Sequence, residues 1–381
     1  MSKLLLMNKD ITVATVDATE GLTDTRLTLV KQFDDYLPYG IEQGVGTWVD
    51  TRHAAKHRKS IQRLLVDLGL TSRLNLLSVT HGVSLNDTFW VKDENSDLVW
   101  DGVSPYRNDL DDVVAHTAFG VGLAGKAFTS TTPELADSGS FPKCWTNDGN
   151  NLRLVKRGSE GAANAGQEPL CEALASQLLS AARCDSVKYR LIKYHGLPST
   201  ACDIFTSEEY GFVPHGTLFP NDKDVDSVIE TWESLGFGDE IRELLVMDAV
   251  AINIDRHTHN LGFMMDNDTG EILHPSPIFD LNMCCLPYLM ETDDPDEYLS
   301  DVRPKLGGSF CDTAQKLLTG YLRSKLINLK SFEFTVPNPK MECPQWRLDV
   351  LNMLKERQIK EILGQGVSVM IDNPLQDPDR D

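Results

Sequence analysis

The sequence predicts an α+β chain of two lobes, the first rich in β-strands and the second mainly α-helical. Three observations carry that expectation. Up to about residue 214, short apolar runs such as ITVATV, RLTLVKQF, LRLVKR and VKYRLIKY alternate and are separated by Gly, Pro, Asn and Asp. Beyond that point DEIRELLVMDAVAIN, TAQKLLTGYLRSKLI and QWRLDVLNMLKERQIKEIL space their apolar residues at helical intervals. Between these helices, the stretch DRHTHNLGFMMDNDTGEILHPSPIFD from Asp255 to Asp280 holds two apolar strands around a DNDTG turn, a hairpin that brings Asp280 back toward Asn260.

The chain has 381 residues, which suits two or three compact units. At 41% hydrophobic and 24% charged residues it is globular in composition, and no apolar run approaches the roughly 20 residues of a membrane span. The N-terminal LLLM is too short for the apolar region of a signal peptide, so a cytoplasmic location is expected. Eight cysteines without a CxxC pair read as reduced thiols rather than a disulfide framework or a zinc site. A formal net charge of −21 argues against broad nucleic-acid binding and against an anionic membrane surface.

Residues 1–75 form an N-terminal extension of short strands followed by a helix, RHAAKHRKSIQRLLVDLGL. Arg52, Lys56, Arg58, Lys59 and Arg63 cluster on its leading turns with no acidic residue among them, so an acidic or phosphorylated partner could dock there, although a solvated face is the plainer reading. Next, SLNDTFWVKDENSDLVW reads as two β-rich pieces around a DENSD turn, with Trp90 and Trp100 in the core. Gly120, Gly122 and Gly125 in GVGLAGKAF satisfy GxGxxG, but Ala127 lacks the hydroxyl a Walker loop needs, and turn residues with Pro133 follow where a helix is required. A turn fits that stretch better.

SGSFPKCW, from Ser138, is a stronger phosphate-loop candidate. Small residues let backbone amides approach phosphate oxygens, and Lys156 on the following strand LRLVKR can reach them as a point charge. GQEPLCEALASQLLSAA then forms a helix with Leu170, Leu174 and Leu178 on one stripe and Pro169 near its first turn. Glu172 sits inside this helix, where its carboxylate could fix Lys156; Glu168, at the fraying start, competes for that role. VKYRLIKYHG and ACDIFTSEEYGFVP add two further strands. After the polar linker PNDKDVD, the helix DEIRELLVMDAVAIN, capped by Asp239, leads into DRHTHN.

An Asp-x4-Asn loop, a hairpin and then a further Asp is the layout of kinase catalytic loops. Phosphoryl transfer needs a carboxylate to take the proton of the attacking hydroxyl, while an amide oxygen and a second carboxylate hold Mg²⁺ on the nucleotide phosphates. Loop Asp and Asn more often cap helices and fill turns, and the spacing alone leaves that reading open.

DRHTHN, the hairpin and IFDLN together resemble the catalytic segment of the HipA-like kinases, and the DRHxxN form is equally similar to the phosphoinositide kinases. SLNDTFW is similar to a stretch in one branch of the HipA-like proteins. The resemblance spans roughly residues 76–335 and implies a protein-kinase-like fold, with an N-lobe over 76–214 and a helical C-lobe over 215–381. It implies ATP and Mg²⁺ as cosubstrate and metal, Asp255 as base, and Asn260 and Asp280 as metal ligands; His257, which lacks metal-ligand spacing with any Cys or His nearby, reads as bracing the loop by a hydrogen bond. Ser138, Gly139, Ser140 and Lys143 would line the phosphate loop, Lys156 would position phosphates with Glu172 as its partner, and backbone groups near Asp203, Ile204 and Phe205 would form the adenine hinge. Leu281 and Asn282 replace the Phe and Gly of a DFG motif, so a DFG-style flip is not expected.

The implied activity is transfer of the γ-phosphate to Ser or Thr of a protein, with self-phosphorylation at Ser138 or Ser140 as a switch. Six carboxylates in ETDDPDEYLSD, just past Asp280, would favour a basic peptide if they are not simply solvated. Two other readings compete. A kinase of lipids or small alcohols shares DRHxxN but conflicts with the net charge, and a non-enzymatic partner-binding module conflicts with retention of every expected ionic residue.

Overall fold

The N-terminal alternation folds into antiparallel β1 (Ser2–Asn8), β2 (Ile11–Glu20) and β3 (Thr25–Gln32), joined on the far side of β1 by β4 (Phe89–Asp93) in the order β3-β2-β1-β4. This computed structural model describes residues 2–21, 25–52, 65–66, 72–110, 112–120, 141–147 and 151–364. Leu4, Leu6, Val16, Phe89 and Val91 from this sheet pack with Trp48 and Val49 of α1 (Val45–Asp50) and Leu77 of α2 (Arg73–Thr80). The boundary expected at residue 75 therefore falls inside this unit, because β4 completes its sheet. Nor does the piece after DENSD form a strand: Leu98 and Val99 are exposed, and the chain turns into α3 (Trp100–Val103), whose Trp100 is buried.

The second sheet runs β5 (Lys143–Asn147), β6 (Leu152–Arg157), β8 (Leu197–Asp203), β7 (Arg190–Tyr194), all antiparallel. The short α4 (Asp112–Phe119) precedes it, and α5 (Glu168–Ala181) lies across it. Leu170, Leu174 and Leu178 of α5 are buried in the main core. ACDIFTSEEYGFVP does not continue as one strand, since IFTSEE, residues 204–209, breaks it. Its first part ends β8, and its second is β9 (Tyr210–Pro214), which pairs with β10 (Gly262–Asp266) of the expected hairpin; β11 (Ile272–Pro275) closes the order β11-β10-β9. A strand from the end of the first lobe is thus hydrogen-bonded to the hairpin of the second.

The remaining elements among the described residues are helices: α6 (His215–Leu218), α7 (Val225–Ser234), α8 (Gly238–Ala251), α9 (Pro295–Asp301), α10 (Phe310–Leu317), α11 (Gly320–Leu329) and α12 (Gln345–Ile362). Asp239 does not cap α8. Phe237 holds the cap position without a side-chain bond, and Asp239 lies in the first turn, where its charge still complements the helix dipole. The N-terminal unit docks on the hairpin turn, with Asn8 Nδ2 donating to the Asn267 carbonyl at 2.8 Å and Tyr39 Oη to the Gly270 carbonyl at 2.6 Å. Among the described residues no helix is long and apolar enough to cross a membrane.

Candidate active site

Lys156 projects from near the end of β6 between Lys143 on β5 and Thr200 on β8 and is buried. Its ammonium forms an ion pair with Glu172 of α5 and a second with Asp280 Oδ1 at 2.9 Å. The Thr200 hydroxyl donates to the other Glu172 oxygen, and the Tyr189 ring centroid lies 5.0 Å from the ammonium. Of the two candidate glutamates, Glu172 is the one that meets Lys156. Glu168, one helical turn earlier, is buried too, but it accepts the backbone N–H and hydroxyl of Ser159 and closes the loop between β6 and α5.

Burial works against each charge here. Burial raises the Glu172 carboxyl above its ordinary range, and the Lys156 charge only partly counters it. For Lys156 burial opposes the charge, but Asp280 and Glu172 outweigh it and hold the ammonium well above its ordinary value. At Asp280 burial is again overcome, by the charge and hydrogen bond of Lys156 and then by Lys143 and Arg256, which keep this carboxylate ionised well below its usual range.

Asp280 has φ of 58°, a left-handed conformation uncommon for any residue but Gly and Asn, and its N–H donates to Tyr189 Oη at 3.0 Å. That bond turns the carboxylate toward Lys156. The following Leu281 is fully buried in the main core, which fixes the chain just past Asp280.

The DRHTHN loop is braced from beneath by residues the motif reading did not single out. After α8 the chain turns at Ile252, with φ of 54°, and Asn253 Nδ2 donates to Asp248 Oδ1 at 2.9 Å. Arg256 is buried and grips Asp248 through Nε and Nη2 at 2.6 and 2.9 Å. Its Nη1 donates to the carbonyls of Asn260 at 2.6 Å and Phe279 at 2.9 Å, so one guanidinium ties the Asn260 backbone to the residue before Asp280. Asp248 within the apolar run LLVMDAVA, eight residues before the Arg of DRHTHN, was the available signal.

Within the loop, Asn260 Oδ1 accepts the His257 N–H at 2.8 Å and Nδ2 donates to the Asp255 carbonyl at 3.0 Å. The His257 ring accepts the His259 N–H through Nδ1 at 3.2 Å and stands 4.0 Å from Asp255 Oδ2. Burial, with the Lys305 charge behind it, lowers the His257 pKa. Asp255 Oδ1 pairs with Lys305 at 2.6 Å, a contact across 50 residues that no local pattern announces. Gly262, at the start of β10, is required by close approach: a Cβ there would lie 2.2 Å from the Val213 carbonyl oxygen on β9.

The structure does not gather every expected site residue. Asp203 ends β8 with its side chain exposed between Arg153, at 2.9 Å, and Arg190, at 3.0 Å, so it serves a cross-strand ion pair. The Ile204 N–H is taken by the Leu152 carbonyl at 3.0 Å and is not free for adenine. Phe205 packs on Phe279, centroids 5.4 Å apart, and on Phe212 at 5.7 Å, linking the hinge region to the residue before Asp280. Lys143 faces Lys156 across β5 and β6. Ser138, Gly139 and Ser140 of the phosphate loop, like GxGxxG beyond Gly120 and most of the basic helix, lie outside the described residues. Arg52 is described, and it is buried against Asp87 and the Trp48 ring, which removes it from any partner surface.

No family model matches the chain, and no curated protein matches it. Among solved structures it is similar to HipA of Shewanella oneidensis MR-1, determined with HipB and operator DNA, at a TM-score of 0.55 and 11% identity over 95% of this chain and 97% of that one. It is also similar to CtkA, a proinflammatory kinase of Helicobacter pylori, at a TM-score of 0.44 and 17% identity over 58% of this chain and 93% of that one, a likeness too slight to add weight. At such identities the likeness speaks for the fold. The chain has a HipA-like kinase fold, α+β, with a β-rich N-terminal part and a mainly helical C-terminal part.

Proposed function

We propose that the chain is a cytoplasmic, ATP- and Mg²⁺-dependent kinase that transfers the γ-phosphate to a Ser or Thr hydroxyl of a protein. One observation carries the reading: the Lys156 ammonium is held between Glu172 on α5 and Asp280 on the metal loop, joining strand, helix and loop. A fold that only bound a partner would gain little from such a buried charge cluster, since apolar residues of similar size would be as stable.

The donors present suit Mg²⁺ bound with nucleotide phosphates. Asp280 offers an ionised carboxylate and Asn260 an amide oxygen with a lone pair beyond its bond to His257, hard oxygen donors that would hold the ion together with nucleotide phosphates. The metal would supply charge neutralisation on those phosphates. Lys156 binds and orients the phosphates, Glu172 keeps Lys156 in place, and Asp255 takes the proton of the acceptor hydroxyl. Arg256 holds the two loops in register by its bonds to the Asn260 and Phe279 carbonyls. Transfer to Ser138 or Ser140 of the same chain is part of this reading, supported by the resemblance, and intact mass after incubation with ATP tests it.

Thermal unfolding with ATP and Mg²⁺ together and singly, on wild type and Asp280→Ala, tests the site. A micromolar site at millimolar nucleotide stabilises the native state by about 4 kcal/mol, several degrees in Tm, and the shift should need both components and vanish in the variant. No shift in any condition would reject the kinase reading.

A further inference from the structure

Resting on the kinase reading, we propose that Lys305 is a catalytic residue of the acceptor side, whose ammonium bridges the Asp255 carboxylate and the phosphoryl group being transferred. Lys305 Nζ lies 2.6 Å from Asp255 Oδ1. Among the described cations near the site, Arg256 is committed to Asp248 and two carbonyls, and Lys156 to Glu172 and Asp280.

Lys305 has an anchored backbone and an exposed side chain. The next residue, Leu306, is buried and its carbonyl accepts the Val225 N–H at 2.9 Å, while the Gly307 N–H closes a turn onto the Pro304 carbonyl at 3.0 Å. The Lys305 side chain is 53% exposed, so its ammonium can swing through a few ångströms from a fixed base. An ion pair this exposed contributes little to stability, which leaves the fold no strong use for it. The reaction has one. Charge spreads over three equatorial oxygens of the transferring group, and a lysine beside the base stands where that group meets the acceptor. By holding Oδ1, Lys305 also leaves Asp255 Oδ2 for the incoming proton.

In the step the acceptor oxygen bonds the γ-phosphorus as its proton passes to Asp255. The bond from that phosphorus to the bridging oxygen breaks, its electron pair leaves with ADP, and Lys305 keeps its protons.

The test is thermal unfolding of wild type, Lys305→Ala and Lys305→Arg with ADP and Mg²⁺, with and without aluminium fluoride as a planar stand-in for the phosphoryl group. The ADP–Mg²⁺ shift should be the same in all three. The added fluoride increment should be largest in wild type, partly kept in Lys305→Arg and lost in Lys305→Ala, with apparent affinity for the fluoride complex lower by at least about tenfold. A role confined to positioning Asp255 would leave the fluoride increment untouched. Equal increments in wild type and Lys305→Ala, zero included, overturn the proposal, as does loss of the ADP–Mg²⁺ shift in Lys305→Ala. Absence of that shift in wild type instead overturns the kinase reading beneath it.

Discussion

Arg256 and Asp248 face each other through two hydrogen bonds, at 2.6 and 2.9 Å, both side chains buried beneath the loop that carries Asp255 and Asn260. Burial opposes the Arg256 charge, but Asp248 outweighs it and raises the guanidinium pKa further. Breaking such a pair leaves one buried charge without its partner, a loss of about 3–5 kcal/mol. Asp248→Asn should lower the urea midpoint accordingly, and Arg256→Lys should also do so because an ammonium cannot span Asp248 and both carbonyls. Full stability in both variants would show that the loop does not rest on this pair.

Lys156 and Glu172 form the second buried pair, and a double-mutant cycle isolates it. Lys156→Met leaves the Glu172 carboxylate uncompensated and should destabilise by about 3 kcal/mol or more. Adding Glu172→Gln should recover much of that loss, giving a coupling of 1 kcal/mol or more, on the order seen for contacting residues. Additive effects would mean that the two do not share a charge.

Asp280 and Glu172 should drive stability in opposite directions with pH. The folded-state pKa of Asp280 is depressed, so its contribution is present above the ordinary carboxylate value of 3.8 and is lost as pH falls below it. The Glu172 pKa is raised, so its contribution is full below its ordinary value of 4.5 and is lost as pH rises through the folded pKa. The stability gap between wild type and Asp280→Asn should therefore be wide at pH 7 and shrink below about pH 4. For Glu172→Gln the gap should close or reverse as pH rises. Denaturant titrations at several pH values read both trends.

Gly262→Ala should be strongly destabilising, on the order of 3 kcal/mol or more, because its Cβ would meet the Val213 carbonyl oxygen at 2.2 Å and force β9 from β10. A calorimetric Tm within a degree of wild type would show that the two strands can separate locally at little cost.

Much of this architecture is legible in the chain itself, because it rests on local periodicity. The alternation in LRLVKR becomes β6, the 3.6-residue spacing in GQEPLCEALASQLLSAA becomes α5, and the DNDTG turn becomes the hairpin of β10 and β11. The DRHTHN loop is legible for the same reason, since Asp255 and Asn260 are joined by a hydrogen bond across five residues. Where a local rule failed, tertiary packing outweighed it. Leu98 and Val99 have strand-like composition but find no partner strand, and Asp203 is drawn into ion pairs with Arg153 and Arg190 on its own sheet.

By itself, then, the sequence determined the kinds of element, their order and the loop in which Asp255 and Asn260 lie. Only the tertiary structure decided that Lys156 meets Glu172 rather than Glu168, that β4 returns to β1, that Arg256 is spent on Asp248 and that Lys305 reaches Asp255. Helix and strand periods are set by neighbours three or four residues away, or two, and can be read along the chain. Which charge meets which across many residues depends on how the elements pack, and the high cost of leaving a buried charge unpaired then selects the partner.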